Sequence, residues 1–285
     1  MLKKNILTFI FIIIAVCARC GDFSLAVLDV GQGLCVAVQS TNGQTLVYDC
    51  GTSDWNDTDF DKNSLSFDNV LQPYLKKTGA KKIDYMVLSH PHTDHFTGLP
   101  KALDIYSISK FIYNGRYYKN KNYSDLLSLI QAKKLSYTVA CENYKFNMGE
   151  DTHCACLAPL DNFEFEDPDN NSIVLKITYK NISFLLTGDL GQEAEPYLIQ
   201  KQKNALKSQV LICGGHGTKY SSTDNFLNAI NPKYAVISCG KDNPYHLPHA
   251  PLLKRLEKHG AEILRTDTKG NIIFTVSEKG ILTVK

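Results

Sequence analysis

Charge of one sign is scarce in this chain. Its 31 lysines and arginines nearly balance 29 aspartates and glutamates, for a net charge of +2. The overall field therefore draws the protein strongly to neither nucleic acid nor membrane. Basic stretches at Lys119–Lys121 and Lys201–Lys207 read as solvated helix faces. Paired CxxC motifs are missing despite nine cysteines, which excludes zinc-finger spacing. Short-period repeats and long linkers are absent as well. A comfortable bilayer span is also lacking in the first residues, since Ile6–Val16, apolar but for Thr8, is too short to cross as a helix.

That segment instead has the form of an export signal. Lys3 and Lys4 supply a basic start, Ile6–Val16 an apolar middle, and Val16-Cys17-Ala18 small residues spaced for cleavage. The expectation is a leader over residues 1–21, cleaved or kept as a membrane anchor, followed by one domain over residues 22–285. The protein is then exported (secreted, periplasmic or anchored), with membrane contact only through this segment. A hydrophobic fraction of 44% and a length of 285 residues suit one large α/β domain or at most two small ones. Cys35, Cys50, Cys213 and Cys239 lie in apolar runs and read as core residues. A disulfide from Cys141 to Cys154 or Cys156 would suit export.

Strands and helices alternate in two rounds. Phe23–Val30, Leu34–Gln39 and Thr45–Cys50 read as strands, with Asn42-Gly43 as a hairpin turn. A helix is expected over Asp68–Thr78, a short apolar strand over Ile83–Leu88, then helices over Gly98–Tyr106 and Ser124–Lys134 around a strand at Lys110–Tyr113. The second round carries strands at Ala155–Ala158, Ile173–Tyr179, Ile182–Thr187, Val210–Cys213, Tyr234–Ser238, Glu262–Leu264 and Asn271–Val276. Its helices are Gln192–Lys203, Thr223–Ile230 and Pro251–His259, and Asp161–Asn171 is a loop. Two such rounds predict two sheets packed face to face with helices outside.

The chemistry concentrates in Ser89-His90-Pro91-His92-Thr93-Asp94-His95, at the end of the apolar strand. Imidazole nitrogen and carboxylate oxygen are the donors that Zn²⁺ or Mn²⁺ takes. Residues two apart on an extended loop face one side, so His90 and His92 can grip one ion, while Asp94 and His95 reach a second. Two ions about 3.5–4 Å apart can hold and deprotonate a water and steady the charge of the substrate.

The pattern H-x-H-x-D-H followed by Gly98 resembles the signature of the metallo-β-lactamase superfamily. Leu28-Asp29-Val30-Gly31-Gln32-Gly33 is similar to the opening of the lactamase-like domain of the ComEC family, proteins of DNA uptake in competence. Asn170-Asn171-Ser172, Leu186-Thr187-Gly188-Asp189, Gly214-Gly215-His216-Gly217, Asn243-Pro244-Tyr245 and Arg265-Thr266-Asp267 resemble its later landmarks, so the likeness runs from residue 24 to residue 276. The resemblance implies an α/β fold, the four-layer αβ/βα sandwich of the metallo-β-lactamase fold, and a site for two divalent ions, Zn or Mn. Metal ligands by this resemblance are His90, His92, Asp94, His95, Asp189 and His216. Gly215 stands where the family has the first histidine of a pair, so either His216 shifts to substitute or the second metal site is weakened. Asp29 is expected to support the histidine loop, and Asn171 or Ser172 to contribute an oxygen or a turn. His246 and His249 are candidates to line the pocket and donate a proton, and Arg265 is either a phosphate clamp or a strand-end salt bridge.

The expected function is metal-dependent hydrolysis of a phosphodiester by hydroxide held between two ions, as in a nuclease. Asp94 is expected to orient the water or take its proton. Single-stranded DNA or another phosphodiester is the expected partner. The alternatives are an exported β-lactamase or other amide or ester hydrolase, and a degenerate, metal-poor binding module. ComEC proteins carry this domain beside a multi-helix channel, so a free-standing enzyme is expected here rather than a transporter.

Overall fold

A computed structural model of the chain describes residues 21–52 and 66–285. The expected leader, apart from Gly21, lies outside the described residues. Six strands, β1 (Phe23–Val27), β2 (Cys35–Gln39), β3 (Thr45–Cys50), β4 (Ile83–Leu88), β5 (Ile108–Tyr113) and β6 (Tyr137–Val139), belong to one sheet. A second sheet is formed by β7 (Lys145–Met148), β8 (Thr152–Ala158), β9 (Val174–Tyr179), β10 (Ile182–Leu186), β11 (Val210–Ile212), β12 (Tyr234–Ile237) and β13 (Glu262–Arg265). The chain then returns to the first sheet with β14 (Ile272–Val276) and β15 (Leu282–Val284), giving the order β15-β14-β1-β2-β3-β4-β5-β6.

Side-chain alternation explains why the sheets stack. In β1, Phe23, Leu25 and Val27 point into the space between the sheets, while Ala26 points outward. Across the gap, Leu175, Ile177 and Tyr179 of β9 and Ile182, Phe184 and Leu186 of β10 complete the same core. Phe23 stacks on Tyr179 at 5.2 Å, and the Tyr48 hydroxyl donates to the Ile173 carbonyl at 2.6 Å, tying sheet to sheet. Both outer faces are apolar too, so each needs helices over it. Helices α1 (Gln72–Thr78), α3 (Leu99–Ile105) and α4 (Lys121–Ala132) cover the first sheet, where Met86 and Phe111 meet Leu75, Leu99 and Leu126. The short α2 (Thr93–Phe96) lies within the histidine segment. Helices α5 (Glu195–Leu206), α6 (Asp224–Ile230) and α7 (Ala250–Lys258) cover the second, where Leu185 and Leu211 meet Leu198, Phe226 and Leu252. The result is the expected four-layer α/β sandwich.

Capping sets the helix starts. Asn120 accepts the Tyr123 N–H, so α4 begins three residues before the expected Ser124, and Thr223 accepts the Phe226 N–H to open α6. The seven described cysteines are free. Cys154 and Cys156, two apart on β8, both face the inter-sheet core, and the pairing expected with Cys141 is not formed. Burial pushes the Cys156 and Cys213 thiols up to about 12. Among the described residues no helix is long and apolar enough to cross a membrane.

What matters for chemistry is which strand ends coincide. β3 and β4 run parallel, so Asp49 and Ser89-His90 leave the first sheet side by side. β10, β11 and β12 are also parallel, so the segments bearing Asp189, His216 and Ser238 leave the second sheet at one edge. The carboxyl ends of parallel strands are where ligand sites form in open α/β sheets.

Candidate metal centre

Four imidazoles converge between these strand ends, and the proton on each of three can be assigned from its partner. Asp49 is fully buried and accepts from the Ser89 N–H (2.7 Å), the Ser89 hydroxyl (2.7 Å) and His95 Nδ1 (2.8 Å). A carboxylate only accepts, so His95 carries its proton on Nδ1 and turns the Nε2 lone pair inward. The single hydroxyl proton of Ser89 is committed to Asp49, so Ser89 Oγ accepts from His90 Nδ1 at 3.0 Å, and His90 Nε2 is also left bare. His216 Nδ1 lies 3.0 Å from the Ser238 carbonyl, which fixes the same tautomer there. His92 instead turns Nδ1 inward, 3.1 Å from His90 Nε2.

Three carboxylates meet these nitrogens. Asp169 Oδ1 lies 2.8 Å from His92 Nδ1 and 3.3 Å from His90 Nε2. Asp189 lies 3.3 Å from His95 Nε2 through one oxygen and 3.5 Å from His216 Nε2 through the other, and Asp94 Oδ2 lies 3.2 Å from His216 Nε2. Three donor groups, His90/His92/Asp169, His90/His95/Asp189 and Asp94/His95/His216, each gather ligand atoms within 4.8 Å of one another. His95 Nε2, His216 Nε2, Asp169 Oδ1 and Asp189 Oδ1 are all buried with no hydrogen-bond partner. Buried polar atoms left this way carry a desolvation penalty that a coordinated cation removes. The donors present thus fit divalent metal.

The electrostatics agree. Burial alone would lower His95, but Asp189, Asp49 and Asp94 outweigh it and hold the imidazole well above its ordinary value. His216 is likewise raised, against burial, by Asp189 and Asp94, and His92, against burial, by Asp169. Burial would raise Asp94, Asp169 and Asp189, yet the imidazoles hold all three carboxyls well below the usual range. The cluster is a set of negative charges that wants positive charge, from protons or from metal.

Close backbone approach brings the cluster together. A Cβ on Gly51 would lie 2.5 Å from the Asp94 carbonyl oxygen, and one on Gly33 would lie 2.7 Å from the same atom. Only glycine admits that contact, and Leu34 N then donates to Asp94 O at 3.1 Å. His216 enters through a left-handed turn, with φ 52° between Gly215 at 56° and Gly217 at 91°. That turn carries the His216 ring into the cluster.

His90, His92, Asp94, His95, Asp189 and His216 are therefore brought together, whereas several other expected residues stand elsewhere. Asp29 does not support the histidine loop. Its carboxylate accepts the Gly31 N–H at 3.3 Å, its own N–H donates to Asn271, and it borders a separate cleft with Tyr74 and Lys77. Asp49 holds the position expected of Asp29, because β3 and not β1 is the strand beside β4. Arg265 is no phosphate clamp; it forms a two-point pair with Asp267 at 3.0 and 2.5 Å. His246 is exposed on a loop whose neighbours Tyr245 and Leu247 line the cavity in its stead. His249 uses Nδ1 to accept the Lys219 N–H and so braces a loop rather than donating a proton from that nitrogen. Asn171 closes a turn through Phe165 and Asp167, and Ser172 Oγ accepts the Asp189 N–H at 3.1 Å, holding that carboxylate. Sequence reasoning missed Asp49 and Asp169. A charged residue next to last in the apolar strand Thr45–Cys50 marked the first, whereas Asp169 lay among several acids of one loop.

Comparison with known proteins agrees with this architecture. Residues 28–140 match the metallo-β-lactamase superfamily. ComE operon protein 3 of Bacillus subtilis is 30% identical over 258 residues, which covers 87% of this chain and 32% of that protein. Competence protein ComA of Neisseria gonorrhoeae is 29% identical, covering 91% of this chain and 33% of that protein, and Recombination protein 2 of Haemophilus influenzae is 29% identical, covering 86% and 28%. The chain thus spans about a third of the length of these curated relatives. Among solved structures, the diiron β-hydroxylase CmlA from Streptomyces venezuelae shares the fold at TM-score 0.53 and 12% identity, over 86% of this chain and 52% of that one. Sandwich, strand-end histidine cluster and sequence together identify this chain as carrying a metallo-β-lactamase superfamily domain, of the type found in the ComEC family of competence proteins.

Proposed function

We propose that the protein is a two-metal phosphodiesterase acting on nucleic acid. The observation that carries this reading is the inward convergence of bare imidazole nitrogens on carboxylate oxygens, four of those polar atoms being buried without hydrogen bonds. His90, His92 and Asp169 would hold one ion, Asp94, His95 and His216 the other, and Asp189 stands within reach of both. Divalent ions there, Zn or Mn, would supply Lewis-acid polarisation of the phosphoryl group and a more acidic water.

The chain's own residues do the rest. Asp49 and the Ser238 carbonyl lock His95 and His216 in the tautomer that presents Nε2. Ser172 fixes Asp189. Asp94 borders the cavity, where its carboxylate would orient an attacking water or take its proton. The relatives' names, competence and recombination proteins, support DNA as the source of the phosphodiester. Lys3, Lys4 and Ile6–Val16 support export, which N-terminal sequencing of the mature protein tests.

The function is tested by measuring bound Zn and Mn by mass spectrometry alongside hydrolysis of bis-p-nitrophenyl phosphate, for wild type, His92→Ala and Asp189→Ala. Near-stoichiometric metal with turnover lost in both variants is expected. Metal without turnover would move the scissile bond to an ester or amide, and absence of metal with no activity after Zn or Mn is supplied would end the hydrolase reading.

A further inference from the structure

The cavity over the metal centre, about 450 Å³, carries the acidic side chains Asp167 and Glu193 besides the cluster itself, and among the described residues no lysine or arginine lines it. Among the described lining residues, a phosphodiester held there would meet no basic side chain. Binding energy beyond what metal supplies must come from another part of the substrate. Two large aromatic rings stand at the mouth, Tyr220 at 54% and Tyr245 at 57% exposure.

Neither ring sits on a loose loop. Tyr220 is held from beneath by Arg255, whose guanidinium donates to the carbonyls of Lys219, Ser221 and Ser222 at 2.8 to 3.2 Å. The Tyr220 carbonyl accepts from Gln192 N at 2.7 Å, and Ser221 Oγ donates to Gly214 O at 2.7 Å, which ties the ring's loop to the segment that carries His216. Tyr245 sits at the apex of a turn closed by the buried Asn243, whose amide donates to Gly240 O and Leu247 O and accepts the Leu247 N–H. Lys219 Nζ lies over one face of the Tyr220 ring, 4.9 Å from its centre. Aromatics preorganised on braced loops bind flat rings with little entropy loss.

We propose that Tyr220 and Tyr245 form a stacking clamp for an unpaired nucleobase, which places the adjoining phosphodiester over the histidine–aspartate centre. The proposal rests on the phosphodiesterase reading and narrows it to single strands. A base in a duplex already stacks on both faces, while an unpaired one offers a face to each ring.

The test uses the full chain supplied with Mn²⁺ or Zn²⁺ and two oligomers of equal length, one of thymidylates and one with the same backbone but abasic throughout, with cleavage followed by chromatography. Wild type is expected to cleave the base-bearing strand with kcat/KM about tenfold or more above the abasic one. That preference collapses toward one in Tyr220→Ala and Tyr245→Ala and is retained in Tyr220→Phe and Tyr245→Phe, with metal content as in wild type throughout. Equal cleavage of both oligomers by wild type, or a preference that survives both alanine variants, overturns the clamp and leaves the phosphodiesterase standing. Cleavage of neither oligomer, when bis-p-nitrophenyl phosphate is also inert, removes both.

Discussion

Asp49→Asn isolates the role of one buried carboxylate in holding metal. The aspartate accepts three hydrogen bonds, two from Ser89 and one from His95 Nδ1, all between 2.7 and 2.8 Å. Asparagine is isosteric, keeps one acceptor for the Ser89 N–H, and presents an amide donor where the second oxygen stood. That donor meets His95 Nδ1. The imidazole must then move its proton to Nε2, facing the metal, or keep the binding tautomer with two donors opposed. Recovering the binding tautomer forfeits a hydrogen bond to a charged acceptor, about 1.5–3 kcal/mol. At 1.4 kcal/mol per decade that is about 10- to 100-fold in metal Kd, the range typical for removing an orienting partner of a metal-bound histidine. Competition against a fluorescent chelator measures the affinity, and circular dichroism with thermal melting of the metal-saturated protein shows that the fold persists. A metal Kd within twofold of wild type would refute the tautomer argument. Ser89→Ala should weaken metal less, because it leaves the Asp49–His95 contact in place.

Asp169→Ala should lower bound metal toward one ion per chain by removing the carboxylate of the His90/His92/Asp169 group, read by mass spectrometry of dialysed protein. His246→Ala and Arg265→Ala should leave kcat/KM within about twofold, since the first side chain is exposed outside the cavity lining and the second is spent on Asp267. The Arg265 change should cost at most about 1 kcal/mol in urea unfolding, as expected for a partly exposed pair. The metal-free protein should be most stable between about pH 4 and 6.5. The raised imidazoles of His95 and His216 contribute stability that is full below their unfolded value and is lost as pH rises through the folded one. The depressed carboxyls of Asp94, Asp169 and Asp189 contribute stability present above their unfolded value and lost as pH falls through the folded one. Saturating metal displaces the imidazole protons and should move the maximum upward. Thermal melts with chelator and with Mn²⁺ over pH 4–9 report both curves, and a metal-free maximum above pH 8 would contradict the assignment.

The layered fold and the first half of the site were legible because both are local signals. The apolar runs Thr45–Cys50 and Ile83–Leu88 reproduce β3 and β4 to the residue, and the histidine segment sits where an apolar strand runs out. The short edge strands β6 and β7 escaped notice, since β6 leaves Tyr137 and Val139 largely exposed and so lacks an inside-outside pattern. Partner identity was hidden for a different reason. Asp29 and Asp49 each lie near the end of a strand that leads into a Gly-containing turn, and sequence offers no rule for which strand neighbours β4; the sheet order decided for Asp49. Asp169 reaches His92 across 77 positions of chain, and Arg265 had two partners open to it until the fold set Asp267 against its guanidinium. Residue types and periodicity thus determined the layers, the strand-end histidines and the class of chemistry. The pairing of strands, and with it which carboxylate touches which imidazole, was decided only in three dimensions, because hydrogen bonds and charge contacts depend on distances of a few ångströms that sequence spacing does not encode.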